Sequence, residues 1–214
     1  MSHYETKHRT PSCRCKLIEI PKSPLIEIIK SGGIPLVSVH TGTHNTVEIL
    51  IEKADPSTRY TAISHVWSDG LGNPNSNGLP QCQLEWLSTC LKRLPSHGYQ
   101  GIYYNNYDGI VLDAGGLDAI SQSSINKSVP LFWMDTLCIP VDDEFAGLRT
   151  EAINKMATYY AQATGTLILD SELQRLRIAV AEAEEVLARI PSNRCRTTFY
   201  QAFLLGPLVI CMGR

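Results

Sequence analysis

Ser64, His65, Trp67, Ser68 and Asp69 stand together in the stretch "YTAISHVWSDGLGNP", where an apolar run gives way to glycine, asparagine and proline. A histidine, a carboxylate and two hydroxyls so close together can move protons, hold a polar ligand, or close a strand with hydrogen bonds. A second polar break interrupts "VPLFWMDTLCIP" at Asp135 and Thr136, with Cys138 just beyond it and Arg149 in the segment that follows. Asp170 and Glu172 close a third apolar run, "GTLILDSEL". Each of these residues also has a plain reading. His65 beside Trp67 fits a hydrogen-bonded histidine at a strand end, Asp135 can cap a loop or hold Arg149, and Cys138 fits a small buried hydrophobe. A Cys138/His65 nucleophilic pair would need an orienting third group, and none is identifiable.

Cys13, Cys15, Cys82, Cys90, His40 and His44 are possible metal ligands by type. Structural zinc sites usually show paired Cys-x-x-Cys or His-x-x-x-His spacing, which is missing here, so no metal site is expected.

The elements that must position these residues follow from periodicity. "TVEILIE" alternates and is rich in β-branched residues, and "YTAISHVW" reads as a second strand that could neighbour it. Leu84, Leu87, Leu91 and Leu94 recur at helical spacing, with Pro95 as a stop. Residues 96–129 are rich in Gly, Asn, Tyr and Ser, which predicts a surface insertion. "VPLFWMDTLCIP" has the continuous apolar character of a strand buried on both faces. Phe145, Leu148, Ala152, Met156, Tyr159 and Ala163 predict a long helix, with Gly165 after its end, and "GTLILD" a further buried strand. A helix with Leu173, Leu176, Val180 and Leu187 on its packed side is expected from Ser171 to Ile190. Strands of this kind alternating with helices predict an α/β fold, a parallel sheet with helices on both faces and right-handed crossovers. Ligands bind such sheets at the carboxyl ends of the strands, so His65–Asp69, Asp135–Cys138 and Asp170–Glu172 are expected to line one crevice. Arg149, one turn into the long helix, is expected to face Asp135 or Asp69. Residues 1–45, with a Cys-x-Cys and several prolines, read as an irregular arm, and 46–214 as the domain.

With 43% hydrophobic and 19% charged residues, the 214-residue chain has the make-up of one globular domain. A net charge of −2 without a long basic run predicts neither a nucleic-acid partner nor an anionic membrane surface. Seven scattered cysteines and no charged-then-apolar leader predict a reducing, cytoplasmic setting. The most apolar window, Phe203 to Met212, is about half of what a membrane span requires.

Taken together, "YTAISHVWSDGLGNP", "NGLPQCQL", "LFWMDTLCIPVDD" and "LRTEAINKMATYYAQATGTLILDSEL" resemble the fungal heterokaryon incompatibility (HET) domain, over roughly residues 47 to 175 with an insertion. The resemblance implies a role in fungal self/non-self recognition and regulated cell death, through protein partners or self-association. It also implies a flavodoxin-like sheet remotely related to Toll/interleukin-1 receptor (TIR) domains, some of which cleave NAD with a helix-borne glutamate. HET domains carry a similar Trp-Thr-x-Gln-Glu block. At the corresponding place, "PSNRCRTTFYQAFLLGPLVI", Gln201 is followed by Ala202 and neither Trp nor Glu is present. A truncated or degenerate copy, or an imperfect gene prediction, accounts for this. Without the glutamate the chain is not expected to hydrolyse NAD, although NAD remains a possible ligand.

Overall fold

The computed structural model describes residues 6–42, 46–92, 94 and 129–169, and the backbone of three short strands at 102–104, 109–111 and 209–212. Its first elements lie where an irregular arm was expected: strand β1 (Leu17–Glu19), helix α1 (Lys22–Lys30) and strand β2 (Pro35–Thr41). Leu25, Ile26 and Ile29 share one buried face of α1. Pro24 is tolerated because it falls in the first turn, where a missing N–H costs nothing. The helix ends in a Schellman motif: Gly32, at φ 73°, donates to Ile29 and Gly33 to Ile28. The prolines of this region therefore punctuate structure and do not prevent it.

Strand β3 (Val47–Lys53) alternates as expected, with Val47 and Ile49 buried and Glu48 and Leu50 exposed. It returns antiparallel along β2, pairing Ile49 with Val39, as so short a connection requires. Next come β4 (Thr61–His65), β5 (Gly78–Pro80), α2 (Gln81–Lys92), β6 (Ile102–Tyr104) and β7 (Gly109–Val111). The apolar run around Asp135 is a strand for three residues, β8 (Phe132–Met134), and then turns into a short helix, α3 (Asp135–Cys138). An unbroken apolar run carries no period to separate strand from helix, and here the Asp135 carboxylate takes the Thr136 N–H at 2.7 Å and starts the turn. Helix α4 (Ala146–Gln162) leads into β9 (Gly165–Leu169), and β10 spans Val209–Met212. No glycine caps α4: Ala163 is already extended, and Thr164 donates to the Tyr60 carbonyl, so Gly165 opens the strand.

Five strands in the order β3-β2-β8-β4-β9 form a mixed sheet with helices packed on it. The β8-β4-β9 part is parallel, with Ile63 beside both Met134 and Leu167. Strand β2 meets β8 antiparallel at Val37 and Phe132, so the sheet is not parallel throughout and β2 and β8 separate the two strands expected to be neighbours. Beyond β9 the backbones of β10, β6 and β7 continue the pairing. Phe132, Trp133, Met134, Ala62, Ile63 and Leu167 are buried at the centre. Trp133 meets Tyr159 and Tyr160 of α4 with ring centroids 5.4 and 5.6 Å apart, in the tilted arrangements aromatic pairs favour. Apart from the backbones of β6 and β7 and residue 129, the expected insertion over 96–129 lies outside the described residues, as do the helix expected from 171 to 190 and the 192–205 block.

Candidate functional site

Because β4 and β8 are parallel neighbours, their carboxyl ends deliver His65 and Asp135 to the same place. His65 Nε2 lies 2.6 Å from Asp135 Oδ1, and the imidazole is buried while the carboxylate keeps 22% exposure. The chain after β4 makes a short turn at Trp67–Asp69, closed by Gly70 at φ 103°. That turn brings the Trp67 indole back, and its Nε1–H donates to Asp135 Oδ2 at 2.8 Å. Gly72 gives the ring room: a Cβ there would lie 2.6 Å from it. Thr136 completes the cluster, donating from its hydroxyl to the Leu71 carbonyl at 2.9 Å with the same oxygen 3.2 Å from His65 Nε2. Its hydroxyl hydrogen being used, Thr136 Oγ1 faces His65 as an acceptor, which assigns the proton of that ring nitrogen to Nε2. His65 Nδ1 is buried without a hydrogen-bond partner among the described residues.

Burial works against the charge of Asp135, yet the His65 ring, the Trp67 indole and the Thr136 amide outweigh it, and the carboxyl titrates below its ordinary 3.8. Both of its oxygens are thus occupied. Cys138 is in a different environment: burial pushes its thiol up to about 12, and the nearby Asp135 charge adds to the effect. Such a thiol is a packed side chain and not a nucleophile. Ser64 is buried in β4, and Ser68 and Asp69 lie in the turn, where the Ser68 carbonyl accepts from Lys7 Nζ at 3.1 Å. Asp170 and Glu172 lie outside the described residues.

Arg149 lines the cleft but turns to different partners from those expected. Its Nε donates to the Pro140 carbonyl at 2.8 Å and its Nη2 to the Val141 carbonyl, with exposed Asp143 3.6 Å away. The loop after α3 aims these carbonyls at α4 with no strand to pair them, and a forked guanidinium satisfies both. Asn77, which sequence reasoning passed over, holds the same loop from the other side. Its Nδ2 donates to the carbonyls of Thr136 and Ile139 at 3.0 and 2.6 Å. In "GNPNSNG" its neighbour Asn73 makes a local turn, accepting from the amides of Asn75 and Ser76, so composition alone does not separate a latch from a turn former.

The cleft above this frame encloses about 430 Å³, with Trp67, Asp135, Ile139, Arg149, Ile153 and Met156 among its walls. Trp67 and Ile153 are 39% and 50% exposed, high for large apolar side chains. Among the described residues no helix is long and apolar enough to cross a membrane. Residues 60–193 match the family model described as "Heterokaryon incompatibility protein (HET)". No curated protein and no solved structure matches the chain.

Proposed function

The chain belongs to the heterokaryon incompatibility family, and from that premise we propose that it is a module of fungal self/non-self recognition and regulated cell death that acts through protein association. The observation that carries this reading is that both oxygens of Asp135 hold donors of the chain itself. Cleavage of NAD, the alternative, develops positive charge on the ribose, and a catalytic carboxylate must face that charge. The Asp135 oxygens accept from His65, Trp67 and the Thr136 amide, so the charge is already shared among these donors. A carboxylate used this way keeps a surface in shape. Trp67, Ile139, Ile153 and Met156 beside the Arg149 guanidinium make that surface aromatic and aliphatic with an arginine at its side, the composition found at the energetic centre of protein interfaces.

The finer fold reading is a flavodoxin-like, TIR-like sheet. In support, β8, β4 and β9 are parallel neighbours, and the chain from β8 to β9 passes through helix α4. In such sheets the carboxyl ends of parallel strands are where ligands bind, and β4 and β8 end there in His65 and Asp135.

In fungal cells, expression of the chain is expected to arrest growth, and Ile153→Asp, which puts a charge in the cleft wall, to abolish that response at equal protein level. An undiminished response in Ile153→Asp would remove the cleft from the mechanism. Purified chain incubated with NAD is expected to release no nicotinamide; release that disappears in Asp135→Asn would replace association by hydrolysis.

A further inference from the structure

Far along the chain from the cleft residues, the amino-terminal segment brings four soft ligands together. His8 Nδ1 and the Sγ atoms of Cys13, Cys15 and Cys82 all lie within 4.8 Å of one another, each on a half-buried residue. We propose that His8, Cys13, Cys15 and Cys82 bind one zinc ion as a structural Cys3His site.

Two features of the backbone build the cluster. Strand β1 pairs antiparallel with β5 in the register Leu17↔Pro80 and Glu19↔Gly78. Two further residues along each chain, Cys15 and Cys82 stand opposite one another, and the Cys82 N–H reaches Cys15 Sγ at 3.3 Å. A turn in which the Cys13 N–H donates to the Thr10 carbonyl then folds the preceding residues back. His8 Nδ1 thereby comes to 3.3 Å from Cys15 Sγ and 3.7 Å from Cys82 Sγ. Zinc–sulfur bonds of about 2.3 Å and zinc–nitrogen bonds of about 2.0–2.1 Å in a tetrahedron require sulfur–sulfur edges near ~3.8 Å and sulfur–nitrogen edges near ~3.6 Å. The two nitrogen–sulfur distances lie on either side of that edge, and all four atoms lie within 4.8 Å of one another. Two of the sulfurs already receive backbone hydrogen bonds: the Arg9 N–H donates to Cys82 Sγ at 3.3 Å, as the Cys82 N–H does to Cys15, the outer hydrogen bonding that thiolate ligands receive. On binding, each thiol gives its proton to solvent, and three thiolates with one Zn²⁺ leave a single negative charge near Arg14. Sulfur-rich tetrahedral sites select zinc over harder cations.

The site would fasten the arm to the loop beneath it. The Lys7 N–H donates to the Gly70 carbonyl at 3.1 Å, Thr6 Oγ1 to the Gly72 carbonyl at 2.8 Å, and Gln83 Nε2 to the Lys7 carbonyl at 2.9 Å. These bonds hold the turn that presents Trp67 to Asp135. Sequence spacing hid the site because its fourth ligand is 67 residues from Cys15, and the pair Cys13 and Cys15 has one residue between its members.

The 214-residue chain, produced in zinc-supplemented medium and desalted under reducing conditions, is expected to retain about one zinc per chain by elemental analysis. Cys15→Ser and Cys82→Ser should each cut the retained zinc at least tenfold, and a chelator should lower the melting temperature of the unsubstituted chain by several degrees until zinc is restored. Because a cysteine variant can lose zinc by misfolding, cobalt is added to the metal-free, folded chain as a second probe. Intense thiolate-to-cobalt charge transfer and tetrahedral ligand-field bands are expected at one equivalent. Folded protein that retains no zinc and develops no such bands, or a disulfide found among the three cysteines after reducing purification, would overturn the assignment.

Discussion

Asp135 concentrates the chemistry of the cleft in one side chain. Asp135→Asn keeps the shape but removes the charge that His65 and Trp67 donate to, and should cost about 1–3 kcal/mol. The folded-state carboxyl titrates below 3.8, so this contribution is fully present above that value and is lost as pH falls through the lower folded one. The melting-temperature gap between the unsubstituted chain and Asp135→Asn should therefore persist from neutrality down to about pH 4 and close below it. A gap that already closes between pH 7 and 5 would mean that another group carries the effect. The residue types of this cluster were legible in the sequence: His65, Trp67, Asp135 and Arg149 were all singled out. Which carbonyls Arg149 would reach was not, because a guanidinium pairs with whatever acceptors the backbone leaves open, and that depends on a loop whose path is set by Asn77.

At the scale of elements, the turn after β4 depends on two glycines with different tasks. Gly70 supplies the left-handed backbone, and Gly72 supplies empty space under the Trp67 ring. Gly72→Ala should displace that ring and break its hydrogen bond to Asp135, lowering stability by roughly 1 kcal/mol, or about 2–4 °C in a chain of this size. The Trp67 indole N–H resonance reads this directly, and its persistence at an unchanged shift would show that the ring does not rest on Gly72. Elements with one dominant period, such as β3 and α2, can be read from the sequence because a single buried face imposes that period. Strand β8 was overextended because burial on all sides erases it. Helix α1 and β2 are hidden because Pro21, Pro24, Gly32 and Gly33 suggest irregularity, whereas they lie at the margins of α1, where such residues belong.

For the whole molecule, the decisive strand is β2, which supplies the contact between β3 and β8. A chain begun at Thr46, where the sequence alone sets the domain boundary, would lack Leu36, Val37 and Val39 from the core and leave one edge of β8 unpaired. It should show no cooperative thermal transition by circular dichroism; a sharp one would restore that boundary. The sheet order also has a consequence for biosynthesis. Strand β4 pairs with β8 and β9, both made after it, and Thr61 must wait for Gly165. At about 5–20 residues per second, the ribosome leaves the central strand without its second neighbour for roughly 5–20 s, while the β2–β3 hairpin closes as soon as it emerges. Nascent chains stalled before β9 should be cut by protease within β4 and spared between Pro35 and Lys53, and such chains are where a cell's chaperones would be needed.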